Sequence, residues 1–225
     1  MPSRIFVDDL LDGQVIVVTG GDTDLGRATT VELAACGARV AVTGRDGAAL
    51  EDTVGACDAG LCEALPCDTR DEEQVGALVG RVLDRHGRID TLVNGLGAEP
   101  EEPGADDAPD GLRSAVRLDL EGTWLATHAV ATGAMIPAGS GKVVSLSPVP
   151  ARGTPQSAAT RAAVENMTRT LSVEWARFGI RLVAITGRFG AGERDPREPA
   201  WLVAYLASPA GDYHSGSVMA VGGLP

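Results

Sequence analysis

Ser157 and Arg161 lie four residues apart at the start of the stretch Ser157-Ala-Ala-Thr-Arg161 that runs on to Trp175. In a helix the i to i+4 step sets both side chains on one face. A cation so placed lowers the pKa of a neighbouring hydroxyl, and a hydroxyl that titrates near neutrality can pass a proton. Serine beside a guanidinium does not reach that range, because neither group titrates near neutral pH. The spacing suits an acid–base couple; the residue types do not. A second candidate is the turn Thr19-Gly20-Gly21-Asp22-Thr23-Asp24-Leu25-Gly26, whose glycines let the backbone come close to an anion at a helix N-terminus.

Other reactive side chains offer no substitute set. His86, His128 and His214 are scattered and read as surface or packing residues. Cys36, Cys57, Cys62 and Cys67 have no histidine near them in sequence and read as reduced thiols packed as small hydrophobes, so no metal site is expected. The acidic run Glu101–Asp110 reads as a solvated loop.

The elements that must position these residues follow a βαβ pattern of short β-branched runs alternating with amphipathic stretches. Strands are predicted at Val15–Thr19, Arg39–Thr43, Leu61–Pro66, Asp90–Asn94, Lys142–Ser147, Ile180–Ile185 and Ser217–Val221. Helices are predicted at Leu25–Cys36, Asp46–Ala56, Asp71–His86, Gly111–Met135, Gln156–Phe178 and Glu198–Ala207. Asp46 is placed to cap its helix. Val75, Leu78, Val79, Val82 and Leu83 share one face of theirs. The fold expected is α/β, a single-domain, doubly wound parallel sheet of about seven strands spanning residues 1–225, with helices on both faces and ligand sites at the strands' carboxyl ends.

Composition bounds the partners. The 225 residues carry a net charge of −12, with a pI near 4.6, which argues against nucleic acid and anionic membrane. No segment approaches the roughly 20 apolar residues of a membrane span. Met1–Asp9 lacks an apolar signal core. A cytoplasmic protein is the expectation.

Together these motifs resemble the short-chain dehydrogenase/reductase family over nearly the whole chain. The opening Ile5–Gly13 and the block from Ser157 to Asn166 look most like the branch of trans-2-enoyl-CoA and 2,4-dienoyl-CoA reductases. The resemblance implies a Rossmann-type fold and a dinucleotide held by Gly20, Thr23, Asp24, Leu25, Gly26, Arg45, Asp68, Asn94, Gly95, Gly97 and Arg161. It implies NADP rather than NAD, since Gly44 is not acidic and Arg45 follows it. It also implies catalytic positions at Asp119, Pro148, Ser157 and Arg161, where the family carries Asn, Ser, Tyr and Lys. Some members of the branch carry Ser and a basic residue in the last two places. The only tyrosines here are Tyr205 and Tyr213.

Two further departures matter. Asp24 replaces the middle glycine of the turn. At about 4 Å and an effective dielectric near 20, a carboxylate beside a phosphate costs roughly 4 kcal/mol, or about three powers of ten in binding. The substrate-covering segment is reduced to Arg188–Pro199. The expectation is a non-catalytic or weakly active family member with weak or absent NADP binding. The alternative is an NADP-dependent oxidoreductase acting on enoyl-CoA or carbonyl substrates by an unusual proton path. By resemblance, the helices at Gly111–Met135 and Gln156–Phe178 imply a homo-oligomer of two or four chains. Along the first, Leu112, Val116, Leu120, Trp124 and Ala131 form a stripe, with Leu118, Leu125 and Val130 off it.

Overall fold

The computed structural model describes residues 5–95, 113, 116–149, 155–187, 189 and 195–221. Seven parallel strands form one sheet in the order β3-β2-β1-β4-β5-β6-β7. They are β1 (Val15–Thr19), β2 (Arg39–Thr43), β3 (Cys62–Ala64), β4 (Thr91–Gly95), β5 (Gly141–Pro148), β6 (Ile180–Gly187) and β7 (Ser217–Val221). Their near-continuous apolar runs reflect burial on both faces. Along β1 successive residues serve opposite layers: Val15 and Val17 join one core, Ile16 and Val18 the other.

Helices α1 (Asp24–Ala35) and α6 (Arg197–Ala207) pack together on the second of these layers, with Leu25, Leu33, Val203 and Leu206 buried among the strands' side chains. The other layer is built by α3 (Glu72–His86), by the helical segment 116–138, here α4, and by α5 (Pro155–Glu174), which ends in a 3-10 turn at Trp175–Phe178. Helix α2 (Gly47–Gly55) follows β2. The cap expected at Asp46 is in place, and Asp71 caps its helix in the same way. Asp46 accepts from the amides of Ala48 and Ala49, and Asp71 from those of Glu73 and Gln74, each satisfying donors the first helical turn leaves open.

Two sequence readings need adjustment. The described part of α4 begins at Val116 and is not uniformly α-helical: Val116–Glu121 and Ala131–Met135 are π turns flanking Gly122–Val130. Strand β5 runs past Ser147 to Pro148, because ladder pairing continues through Pro148 opposite Gly187. Gly97, the acidic loop, the beginning of the long helix and half of 188–199 lie outside the described residues.

Candidate functional site

Strand order reverses at β1 and β4, and such a switch point opens a crevice at the strands' carboxyl ends. The turn from β1 into α1 forms its floor. Gly20 adopts φ +69°, and a Cβ there would lie 3.0 Å from the Gly95 carbonyl oxygen. At Gly26 a Cβ would come within 2.0 Å of the Gly20 oxygen, and at Gly95 within 2.3 Å of the Thr19 oxygen. Three chain segments therefore touch backbone to backbone. The Thr19 hydroxyl accepts from the Gly95 amide at 3.1 Å, holding β1 and β4 in this contact. Thr23 caps α1, accepting from the Gly26 amide at 3.1 Å and donating to the Gly20 carbonyl at 2.7 Å. Leu25 is buried in the core, whereas Asp24, the first residue of α1, is exposed.

At the end of β2 the carboxylate of Asp22 accepts from two backbone amides, Arg45 at 2.8 Å and Asp46 at 3.1 Å. Both bonds go to Oδ2. The next subsite, after β3, is Asp68, whose carboxylate is held by the Arg70 guanidinium through Nε at 2.8 Å and Nη2 at 2.5 Å. These bonds are the main reason its pKa falls to about 2; the Arg70 amide and the nearby charge of Arg45 add to them. Asn94 is buried at the end of β4 and donates to the Thr127 hydroxyl at 2.9 Å, while its Oδ1 has no partner among the described residues.

Of the catalytic positions of the resemblance, Asp119 is tied to the turn of α5 that carries Ser157 and Arg161. Asp119, in the first π turn of α4, accepts from the Thr160 hydroxyl at 3.1 Å. That hydroxyl also lies 3.2 Å and 3.3 Å from the carbonyl oxygens of Gln156 and Ser157. Burial pushes the Asp119 carboxyl up, and the Thr160 bond opposes that shift. Ser157 and Arg161 are half-buried one helical turn apart. Pro148 ends β5, and the hydroxyl of Ser147 beside it is fully buried with no partner among the described residues. Thr160 and Thr127 escaped sequence reasoning. Both are threonines inside helices, and only the position of Thr160 between Ser157 and Arg161 marks one of them.

The chain's tyrosines and its lysine lie away from this turn of α5. Tyr205 Oη lies 3.1 Å from His214 Nε2. Tyr213 is 92% exposed, in a turn beyond α6. The chain's single lysine, Lys142, starts β5 at the opposite end of the sheet. Its Nζ donates to the carbonyls of Ala207 and Ser208 and pairs with Asp212 at 2.8 Å. Burial raises the Cys36 and Cys67 thiols to about 11, so neither is a ready thiolate. Among the described residues no group of three or more His, Cys, Asp or Glu could hold a metal ion.

The family model described as short chain dehydrogenase matches residues 14–189. The chain belongs to the short-chain dehydrogenase family. A probable 2,4-dienoyl-CoA reductase of Bacillus subtilis is 26% identical over 95% of this chain and 96% of its own length. Levodione reductase of Leifsonia aquatica is 35% identical over 82% of this chain and 70% of its own. Among solved structures, a citronellol catabolism dehydrogenase of Pseudomonas aeruginosa superposes with a TM-score of 0.85 at 34% identity, covering 96% of each chain. Family members generally use NAD or NADP. The close backbone approaches among Thr19, Gly20, Gly26 and Gly95 build the tight strand–turn–helix that a dinucleotide-binding turn requires. Asp24 brings a carboxylate to the start of α1, where such a turn receives phosphates, whereas the carboxylate of Asp22 is turned to the end of β2.

Proposed function

We propose that the chain is a short-chain dehydrogenase family member that keeps the fold and a weakened dinucleotide site but lacks the family's proton-transfer couple, so that it is non-catalytic or weakly active. A nicotinamide dinucleotide supplies hydride chemistry when bound. The backbone of Gly20, Thr23, Leu25 and Gly26, with Asp68, Asn94 and Gly95, would hold it. A reduction also needs a proton at the other reacting atom. The observation that carries the reading is that no phenol or ammonium reaches Ser157 and Arg161. Both tyrosines and the only lysine are spent or exposed elsewhere. Serine and guanidinium do not exchange protons near neutral pH. Arg45 favours NADP by its charge, and Asp22 opposes it. The test is turnover of NADH and NADPH by the purified protein with enoyl-CoA and cyclic ketone substrates, alongside a binding titration of each dinucleotide.

A second reading rests on Asp119. Burial raises the pKa of its carboxyl, a group able to give up a proton, and its bond to Thr160 ties it to the helix turn of Ser157 and Arg161. On this reading the chain reduces enoyl-CoA or carbonyl substrates, the chemistry named for its relatives, with Asp119 as the acid. Turnover that disappears in Asp119→Asn, with a pH profile following one carboxyl, is the result that distinguishes it.

The protein is also proposed to be a cytoplasmic homo-oligomer. Val116 and Trp124 on α4 and Val173 on α5 are 37%, 39% and 80% exposed. Ala126, Val130 and Ala134 of α4 face the sheet core, so α4 is apolar on two sides. No helix of the described residues is long and apolar enough to cross a membrane.

A further inference from the structure

The carboxylate of Asp22 occupies the volume that a side chain at position 44 would fill. A Cβ built on Gly44 would lie 2.5 Å from both Cγ and Oδ1 of Asp22. The glycine turn is stitched to β2 so that Asp22 arrives there. The Gly21 amide donates to the Thr43 carbonyl at 2.9 Å, and the buried Thr53 hydroxyl donates to the Gly21 carbonyl at 2.9 Å. Gly21 itself is pressed onto β2, where a Cβ would lie 1.9 Å from Val42 Cγ2. Asp22 Oδ2 is then fixed by the amides of Arg45 and Asp46, leaving Oδ1 with no partner among the described residues.

We propose that Asp22 is the specificity-determining residue of the dinucleotide site: it supplies in space the acidic group that position 44 lacks in sequence, and selects a ribose diol over a 2′-phosphate. In open α/β folds an acidic residue beyond the second strand takes the ribose 2′-hydroxyl, and a nearby arginine takes a 2′-phosphate. Here the acid comes from the turn after β1 instead. Its free Oδ1 accepts hydroxyl donors, a charge-assisted bond. A 2′-phosphate, with a charge of about −1.5 to −2, meets that carboxylate and finds the amides of Arg45 and Asp46 already bonded. Arg45, the residue behind the NADP expectation, is exposed, so its attraction is screened by solvent and salt. Asp22 is anchored by two adjacent amides of the turn after β2 and cannot swing away without breaking both bonds.

The proposal rests on the reading that the turn still takes a dinucleotide, weakly. NADH and NADPH differ only at the ribose 2′ position, so their ratio cancels the repulsion from Asp24 and every other shared contact. The test titrates each, up to millimolar concentration, into the wild-type chain and into Asp22→Asn and Asp22→Ser, following the backbone amide signals of Arg45 and Asp46 by NMR. Asp22→Asn keeps an oxygen for those amides and so guards against loss of folding. The expected result is NADH at least tenfold tighter than NADPH in wild type, with the ratio falling below about threefold in both variants through a gain for NADPH. A merely structural role for Asp22 would weaken both ligands together and leave the ratio unmoved. NADPH bound as tightly as NADH by wild type, or an unchanged ratio in the variants, overturns the proposal. No shift of either amide by either dinucleotide overturns it as well, and with it the weakened dinucleotide site. Turnover would refute the non-catalytic reading while leaving the ratio to decide this one.

Discussion

Thr160 Oγ1 donates to Asp119 Oδ2 across 3.1 Å, joining a π turn of α4 to the helix turn that carries Ser157 and Arg161. The residue is half-buried, and burial raises the pKa of its carboxyl. A raised folded-state pKa means that the folded chain binds more protons than the unfolded one between the two values. Stability therefore falls as pH rises through the ordinary carboxylate range towards the folded pKa, and is flat above it.

Replacing Asp119 by Asn removes that loss while keeping an oxygen for Thr160. Asp119→Asn is expected to match wild type at acid pH, below the ordinary carboxylate range, and to melt above it at neutral pH. Thermal melts across the pH range check this. Equal melting at every pH would mean that the carboxyl is solvated.

Asp24 is expected to weaken dinucleotide binding by charge. Because it is exposed at the first position of α1, the repulsion lies nearer the water value of about 1 kcal/mol than the 4 kcal/mol of a less solvated pair. Asp24→Gly should therefore strengthen binding by about fivefold at low salt, and less at high salt. Calorimetry at two ionic strengths decides it. A salt-independent gain would point to the glycine backbone rather than the charge.

Much of this arrangement was legible in the sequence, and the rest was hidden for identifiable reasons. The strands and the Asp46 cap follow from period and cap chemistry, which are local. The substitutions at Ser157 and Arg161 were readable because i to i+4 spacing fixes a helix face. The sequence marked Asp22 only as a second carboxylate in the turn. Its place at the end of β2 depends on bonds from Gly21 to Thr43 and from Thr53 to Gly21, between segments 22 and 32 residues apart. The NADP expectation drawn from Gly44 and Arg45 missed that occupant for the same reason. The pairing of Asp68 with Arg70 is only two residues long, yet depends on a turn geometry that composition does not specify.

Restoring the two missing side chains together, Ser157→Tyr with Arg161→Lys, is expected not to create robust reductase activity. Pro148 and Asp119 still stand in the family's Ser and Asn positions, and such sets act as a unit. Steady-state assays with enoyl-CoA and ketone substrates check this. Clear turnover by the double variant would show the remaining site to be competent.

Light scattering at micromolar concentration is expected to give two or four times the 23.1 kDa chain mass. Trp124→Glu, which puts a charge on the exposed face of α4, should lower that mass without unfolding the chain. A wild-type monomer would remove the assembly role.

The central claim is that the chain lacks a proton-transfer couple, and a single-turnover experiment tests it most directly. Protein in excess over NADH or NADPH is mixed with a trans-2-enoyl-CoA, a 2,4-dienoyl-CoA or a cyclic diketone, and oxidation of the dinucleotide is followed. The account predicts a rate indistinguishable from that without protein for every pair, because neither Ser157 nor Arg161 delivers a proton. Complete oxidation at a rate that scales with protein and is lost in Asp119→Asn would contradict it, and would make Asp119 the acid of an active reductase.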